Sequence, residues 1–290
     1  MNKHDMHDDF TRRRVFWLLQ RLTSWSLWKA KYDAFKRFAD AYQDAIETWP
    51  TNVSEVMEAD HLKAIFEIAC DYDEGVAELA KGRRLVWRTG QALGEATRKF
   101  NELGRYFYRN PNYWERGQTA PYPPKVDELY QLMRASQFQM DYAPLEVWSD
   151  ENLANLEWPG SLLDRAHYDH GFYKLDYPEF PAVLPDVPEP LGPLIRSGQP
   201  VPCDGIWEPV TIASSHMSDT LPRDATLCSN NGCFNYFVEG VIAPGFADVD
   251  VATFDVTLRS THWRLLWEDR RYVDGIIPDE SGYFQRQVTL

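Results

Sequence analysis

The stretch SGQPVPCDGIWEPV, residues 197–210, separates two halves of the chain that follow different apolar patterns. Before it, apolar residues recur every three or four positions, as in amphipathic helices, and after it they alternate with polar residues, as in strands. Inside the stretch, two prolines favour extended backbone and the pair Asp204 and Gly205 favours a turn. The sequence therefore predicts an α+β fold, with an N-terminal antiparallel helical bundle followed by a small C-terminal antiparallel β-sheet or partly open barrel.

The first half has the pattern of a helical bundle. An apolar stripe over residues 15–49 fits one long amphipathic helix, or two helices broken near residues 23–26. Three further helices are predicted over residues 56–79, 82–108 and 126–140. Gly90 and Gly94 fall inside the predicted helix over 82–108, where we expect them to let another helix approach closely. Short connections between the helices favour antiparallel neighbours.

A proline-rich segment joins the two halves. Six prolines between positions 178 and 193 exclude a helix interior or a central strand there, because proline lacks the backbone N–H. We therefore predict three segments in chain order: a helical bundle over residues 1–145, a connector with short helices over 146–196 and a β-rich domain over 197–290.

The second half contains strand and turn signals. Alternating apolar residues over 254–258 and 263–267 predict strands with two different faces. The sequence NNG at 230–232 predicts a hairpin turn, because Asn and Gly accept positive φ. A four-residue loop there would set Cys228 opposite Cys233. This arrangement would permit a disulfide in an oxidising compartment, but in a reducing one we expect two thiols.

Negative charge is concentrated in the second half of the chain. The net charge is −14, from 30 basic and 44 acidic residues. Residues 1–150 carry 21 basic and 23 acidic side chains, and residues 151–290 carry 9 and 21, which gives −2 and −12. Such a balance argues against nucleic-acid binding, which needs a cationic surface. The acidic half either keeps the protein in solution or attracts a basic partner.

The sequence favours a cytoplasmic protein. Its charged N-terminus has too short an apolar run for a secretory signal, and no stretch approaches the length of a membrane span. We expect reduced cysteines and no membrane partner.

Few residues form a pattern typical of catalysis or metal binding. Cys203 with His216 could serve as a nucleophile and base, and Asp204 with Glu208 as a carboxylate pair for sugar hydrolysis, but neither pair follows an established spacing. The sequence DYDEG at 71–75 begins like a calcium loop but lacks the later ligands. We therefore predict no catalytic residues, no metal ligands and no cofactor.

The two motifs of the β-rich half carry a family resemblance. SGQPVPCDGIWEP, followed by GCFNYFVEGVIAPG at 232–245 behind a Trp-rich helical half, resembles the immunity proteins of bacterial polymorphic toxin systems. The nearest group is immunity protein 71/72, which is often found beside type VI secretion or Rhs-type effectors. The resemblance implies a cytoplasmic inhibitor that binds and neutralises a cognate toxin, and it implies no catalytic residues.

Acidic and aromatic residues of the second half are the candidates for binding a toxin, since acids would attract a basic, nuclease-like groove and exposed aromatics would anchor the interface. The candidate residues are Asp204, Trp207, Glu208, Glu239, Asp248, Asp250, Trp263, Trp267, Glu268 and Asp269. The Trp-rich first helix could also present an apolar stripe to a second copy in a homodimer. Two other functions stay open: an adaptor or chaperone for a secreted effector, and a hydrolase with an unrecognised site.

Overall fold

The computed structural model describes residues 4–48, 59–107, 158–165, 177–190, 192–212, 228–249 and 256–284. The predicted helix at 126–140, together with His216 and Asp250, lies outside these residues. The described helical elements are α1 (Asp9–Leu22), α2 (Trp25–Thr48), α3 (Ala59–Leu79), a 3-10 turn (Leu85–Trp87), α4 (Ala92–Phe107), the short α5 (Gly160–Leu163) and a second 3-10 turn (Ser281–Tyr283).

The first apolar stripe forms two helices, as one of the two predicted alternatives required. The break between α1 and α2 falls at Thr23 and Ser24. The hydroxyl of Thr23 donates a hydrogen bond to the carbonyl of Leu19 at 2.8 Å, and that of Ser24 donates to the carbonyl of Arg21 at 2.7 Å. These side chains satisfy carbonyls of the last turn of α1, which has no following turn to supply N–H donors.

Aromatic rings join α2, α3 and α4 into a packed layer. The Phe35 ring of α2 lies 5.5 Å from the rings of Phe38 and Tyr72 and 5.8 Å from that of Phe100, measured between centroids. Most of the apolar stripe of α1 and α2, including Val15, Leu18 and Phe38, is buried within the chain itself. It is not the exposed face that the sequence suggested for a second copy, and the homodimer stays a prediction.

The third predicted helix begins later than expected. Helix α4 starts at Ala92, ten residues after the predicted start, because Gly90 lies in the left-handed region with φ +79° and ends the preceding turn. Gly94 lies within α4, where a Cβ atom would clash with the Arg88 carbonyl. The close approach expected at Gly94 is thus made by the preceding loop, and Gly90 is not helical.

The strands are β1 (Leu194–Arg196), β2 (Gly205–Ile212), β3 (Cys228–Asn230), β4 (Asn235–Phe237), β5 (Phe246–Val249), β6 (Val256–Arg259) and β7 (His262–Glu268). In the main sheet β7 lies between β1 and β2, while β3 and β4 both pair with the other edge of β2. Strands β5 and β6 form a separate two-stranded sheet, and every pairing is antiparallel. The main sheet is open in the described part of the chain, so the predicted antiparallel sheet is confirmed and the barrel is not closed.

The NNG sequence does not form the predicted hairpin. Val210 of β2 faces Asn230, and Trp207 of β2 faces Asn235. Strands β3 and β4 therefore lie one after the other along the same edge of β2. The residues between them are an interruption in one β edge and do not reverse the chain. Cys228 and Cys233 are both thiols.

A bulge breaks the predicted alternation in β7. Ile206 pairs with Trp267 and Trp207 pairs with Leu265, which leaves Leu266 as an extra residue on β7. Leu265 and Leu266 are consequently both buried. The bulge therefore explains why two consecutive residues of β7 are buried, where strict alternation would expose one of them.

Helices and strands share one hydrophobic core. The Phe16 ring of α1 meets the Trp267 ring of β7 edge-on at 6.2 Å, and Trp87 meets Tyr236 of β4 in the same way at 6.3 Å. Residues 177–190 contain neither helix nor strand and lie along α1, where Phe180 is 5.4 Å from Trp17. Folding of the sheet therefore depends on apolar surface from the first helix.

Candidate functional site

The predicted toxin-binding residues fall into three groups in the structure. Trp207, Glu208, Trp263 and Asp269 are buried. Asp204, Glu239, Trp267 and Glu268 reach the surface at least in part. Asp248 faces Thr257 across the β5–β6 pair, but its side chain is not described, and Asp250 lies outside the described residues.

The two buried tryptophans pack on one phenylalanine. The Phe237 ring stacks on Trp207 at 6.4 Å and meets Trp263 edge-on at 4.7 Å. The indole N–H of Trp263 donates to the carbonyl of Pro244 at 2.8 Å. The expected role as exposed anchors is corrected here: large rings on the inner face of the sheet stabilise the core, and these two are not available to a partner.

Glu208 is an internal ion-pair residue. Its carboxylate accepts a hydrogen bond from Arg264 Nε at 2.8 Å and from Asn230 Nδ2 at 3.2 Å, and Arg12 of α1 lies 3.5 Å away. Because the side chain is fully buried and surrounded by these donors, its charge is neutralised inside the protein. Glu208 therefore connects α1 to the sheet and does not contribute to an external anionic face.

Asp269 is the centre of a second buried ion pair. It lies 3.0 Å from Arg84 and 2.7 Å from Arg271, and the Tyr236 hydroxyl donates to it at 2.8 Å. Burial alone would raise the pKa of Asp269, but the two arginines and the hydroxyl lower it below its ordinary value. Arg84 is buried, unlike its exposed neighbour Arg83.

Three carboxylates remain at the surface at one end of the β2–β7 pair, and we call Asp204, Glu239 and Glu268 the anionic rim. Asp204 precedes β2 and accepts a hydrogen bond from the backbone N–H of Glu239 at 2.7 Å. Glu268 ends β7 opposite Gly205, the first residue of β2. Arg270 pairs with Glu268 at 2.8 Å and offsets part of the negative charge of the rim, and Arg84 partly opposes the effect of burial, which raises the pKa of Asp204.

The rim carboxylates affect the pKa of the nearby thiol of Cys203. Burial raises the pKa of its thiol to about 11, and Glu268, Asp204 and Glu239 each add to the increase. Burial likewise raises the pKa of Asp204 to about 6. Because a thiol with so high a pKa is protonated near neutral pH, Cys203 does not have the thiolate that a cysteine nucleophile requires.

The described residues do not bring the other suggested reactive groups together. Asp204 and Glu208 are engaged with separate partners, the first at the surface turn and the second with buried arginines. Within the described ranges, no group of three or more His, Cys, Asp or Glu side chains could hold a metal ion. No described helix is both long and apolar enough to cross a membrane.

An exposed apolar turn follows the rim in the sequence. Val273 and Ile276 are 74% and 66% exposed, although Tyr272 beside them is buried. No site was predicted in this segment, VDGII at 273–277. The available signal was an Asp–Gly turn flanked by branched apolar residues, a pattern that cannot reveal whether those residues face the core or the solvent.

Comparison with known families gives a match in each half of the chain. Residues 6–146 match the family model of Immunity protein 71, and residues 186–285 match that of Immunity protein 72. No curated protein and no solved structure gives a significant match.

Proposed function

We propose that this chain, an immunity protein of the 71/72 group by its two family matches, neutralises a cognate toxin by binding over its active site or substrate groove. The observation that carries the proposal is the presence of both matches in one chain, at residues 6–146 and 186–285. The shared core supports the view that both matched regions act as one binding body, since Phe16 of the first packs on Trp267 of the second.

Charge supports a basic target. The half of the chain after residue 150 carries 21 acidic and 9 basic residues, and the anionic rim places three of those acids at one end of the sheet. A toxin that cleaves nucleic acid has a cationic groove for its substrate, and an acidic surface would be drawn to that groove. We therefore propose a nuclease-like toxin as the partner, recognised through the rim.

The proposed mechanism is steric and electrostatic. The rim carboxylates would occupy positions that substrate phosphates otherwise take, and the body of the protein would exclude the substrate from the groove. This inhibition needs no bond to be made or broken.

We propose that the protein acts in the cytoplasm of a bacterium that carries a polymorphic toxin system, such as one with type VI secretion or Rhs-type effectors. There the immunity protein would protect its own cell from the toxin. The partner to test is the toxin domain of the protein encoded next to this chain's gene, which we call the neighbouring toxin domain.

Co-expression and an activity assay test the proposed function together. Cells that express the neighbouring toxin domain alone should stop growing, and co-expression of this chain should restore growth. The purified complex should lack toxin activity. A stable complex in which the toxin remains active would instead identify an adaptor, and a lack of both binding and rescue would contradict the proposal.

A further inference from the structure

The turn at residues 272–276 exposes apolar side chains beside a buried aromatic anchor. Val273 and Ile276 are mostly exposed, whereas Tyr272 is 1% exposed. We call Val273 and Ile276 the apolar tip. β-branched side chains held in solvent gain nothing for folding, because they bury no apolar surface there.

The base of the tip is held by residues of the helical half, Trp25 and Arg84. The backbone N–H of Trp25 donates to the Tyr272 hydroxyl at 2.7 Å, and this hydroxyl also hydrogen-bonds Glu280. Arg84 donates to the carbonyl of Arg271, immediately before Tyr272, at 3.1 Å. The turn therefore has a fixed base.

Tyr272 itself has a strained backbone. Its φ is +69°, in the left-handed region that bulky residues rarely adopt, whereas Gly275 of the same turn has φ +75° at no steric cost. Asp274 Oδ1 accepts a hydrogen bond from the backbone N–H of Ile276 at 2.9 Å and closes the turn. Such strain persists where surrounding contacts enforce it, and it tends to mark functional positions.

The apolar tip lies close to the anionic rim. Val273 is five positions after Glu268 of the rim, so their Cα atoms are at most roughly 18 Å apart. The backbone N–H of Asp269, the residue after Glu268, donates to the carbonyl of Asp204 at 2.8 Å and holds this segment against the rim. One side of an ordinary protein interface covers roughly 800 Å², enough to include both features.

We propose that the apolar tip is the anchor of the interface with the cognate toxin, beside the anionic rim. The inference rests on the proposed function and extends it by describing the partner's surface. That surface has an apolar depression for Val273 and Ile276, bordered by lysine or arginine residues that face the rim and Asp274. A turn already held in its bound shape loses little entropy on binding.

The test variant and its control both replace exposed branched apolar residues with serine, at different places on the protein. The test variant is Val273→Ser combined with Ile276→Ser, and the matched control is Val183→Ser, because Val183 is 85% exposed on the segment along α1. Both variants replace exposed residues, so thermal unfolding should confirm that both fold as the unchanged protein does. Calorimetric titration with the neighbouring toxin domain then gives the dissociation constants.

The inference predicts that the tip variant binds at least about tenfold more weakly, because it loses the apolar surface that the tip would bury, while the control binds as the unchanged protein does. Equal binding by all three proteins would overturn the tip as anchor and leave the proposed function intact. Equal weakening in the tip variant and the control would also overturn it. If the unchanged protein fails to bind and to rescue growth, the proposed function itself fails.

Discussion

The carboxylate of Glu280 accepts a hydrogen bond at 2.8 Å from the backbone N–H of Ser26, which lies 254 residues earlier in the chain. Ser26 is the second residue of α2, so the side chain acts as an N-terminal cap supplied by the far end of the protein. Tyr272 accepts the adjacent N–H, from Trp25. The break between α1 and α2 is thus completed by residues of the β-rich half.

Arginine side chains also bind the residues that end α1 at the same break. Arg271 donates through Nη1 to the carbonyl of Gln20 at 2.9 Å and through Nη2 to the hydroxyl of Thr23 at 2.7 Å. Arg84 donates to the carbonyl of Thr23 at 3.0 Å. Because these contacts link helices and sheet at a buried position, loss of one should affect the stability of the whole protein.

The first prediction concerns this cap. Glu280→Ala should lower the free energy of unfolding by about 2–3 kcal/mol, because it removes a helix cap and leaves the buried Tyr272 hydroxyl without its carboxylate partner. Chemical denaturation followed by circular dichroism measures the change. Asp279→Ala is the control, since Asp279 is exposed and its hydrogen bonds to Ser281 are local. Equal effects from both variants would show that the long-range cap is not stabilising.

The second prediction concerns the buried pair Glu208 and Arg264. Arg264→Met should cost about 3 kcal/mol or more, because it leaves a buried carboxylate without its closest cation. Arg196→Met, on the exposed edge strand β1, should cost less than about 1 kcal/mol.

A double variant separates charge from packing at this site. Adding Glu208→Gln to Arg264→Met removes the uncompensated charge and should recover part of the lost stability. If the double variant is no more stable than Arg264→Met alone, lost packing and not buried charge explains the effect.

The third prediction concerns pH. Burial raises the pKa of Asp204 from its ordinary value of 3.8 to about 6 in the folded protein. The folded state therefore holds this proton more tightly than the unfolded state. Its contribution to stability is fully present below pH 3.8 and is lost as the pH rises through about 6.

Asp204→Asn provides the measurement of this effect, because the amide oxygen can still accept the Glu239 N–H. The unfolding free energy of the unchanged protein, minus that of the variant, should fall by about 1–2 kcal/mol between pH 4 and pH 7, after allowance for the side chain's partial exposure. A difference that stays constant over this range would contradict the assignment to Asp204.

Much of the fold follows from periodicity, and the exceptions have identifiable causes. The helical stripe of α1 and α2 and the strand pattern around Trp263 were predicted because each follows its own repeat. The start of α4 was wrong because two glycines with positive φ, Gly82 and Gly90, interrupt an otherwise helical pattern. The hairpin at NNG was wrong because local turn signals do not reveal that β3 and β4 both pair with β2.

The candidate site was harder to predict than the fold. Acidic and aromatic residues were chosen by type, but type does not determine burial: Glu208 is neutralised by Arg264 from the adjacent strand and Arg12 from α1. The carboxylates of the anionic rim stay at the surface because they lie at turns and strand ends. The apolar tip was missed because its exposure depends on Tyr272, which is buried through contacts with the distant helix α2.

The fourth prediction, and the most direct test of the central claim, is the rate at which this protein associates with the neighbouring toxin domain. Three proteins should be compared by stopped-flow fluorescence at several salt concentrations. They are the unchanged chain, a rim variant (Asp204→Asn, Glu239→Gln, Glu268→Gln) and a control with the same change in charge on exposed helix positions (Asp44→Asn, Glu47→Gln, Glu74→Gln).

We expect the unchanged protein and the control to associate about tenfold or more faster at low salt than at high salt. The rim variant should associate more slowly at low salt and depend less on salt, because it lacks the charges that attract the toxin. If the rim variant and the control associate at the same rate and with the same salt dependence, recognition of the toxin through the anionic rim is contradicted.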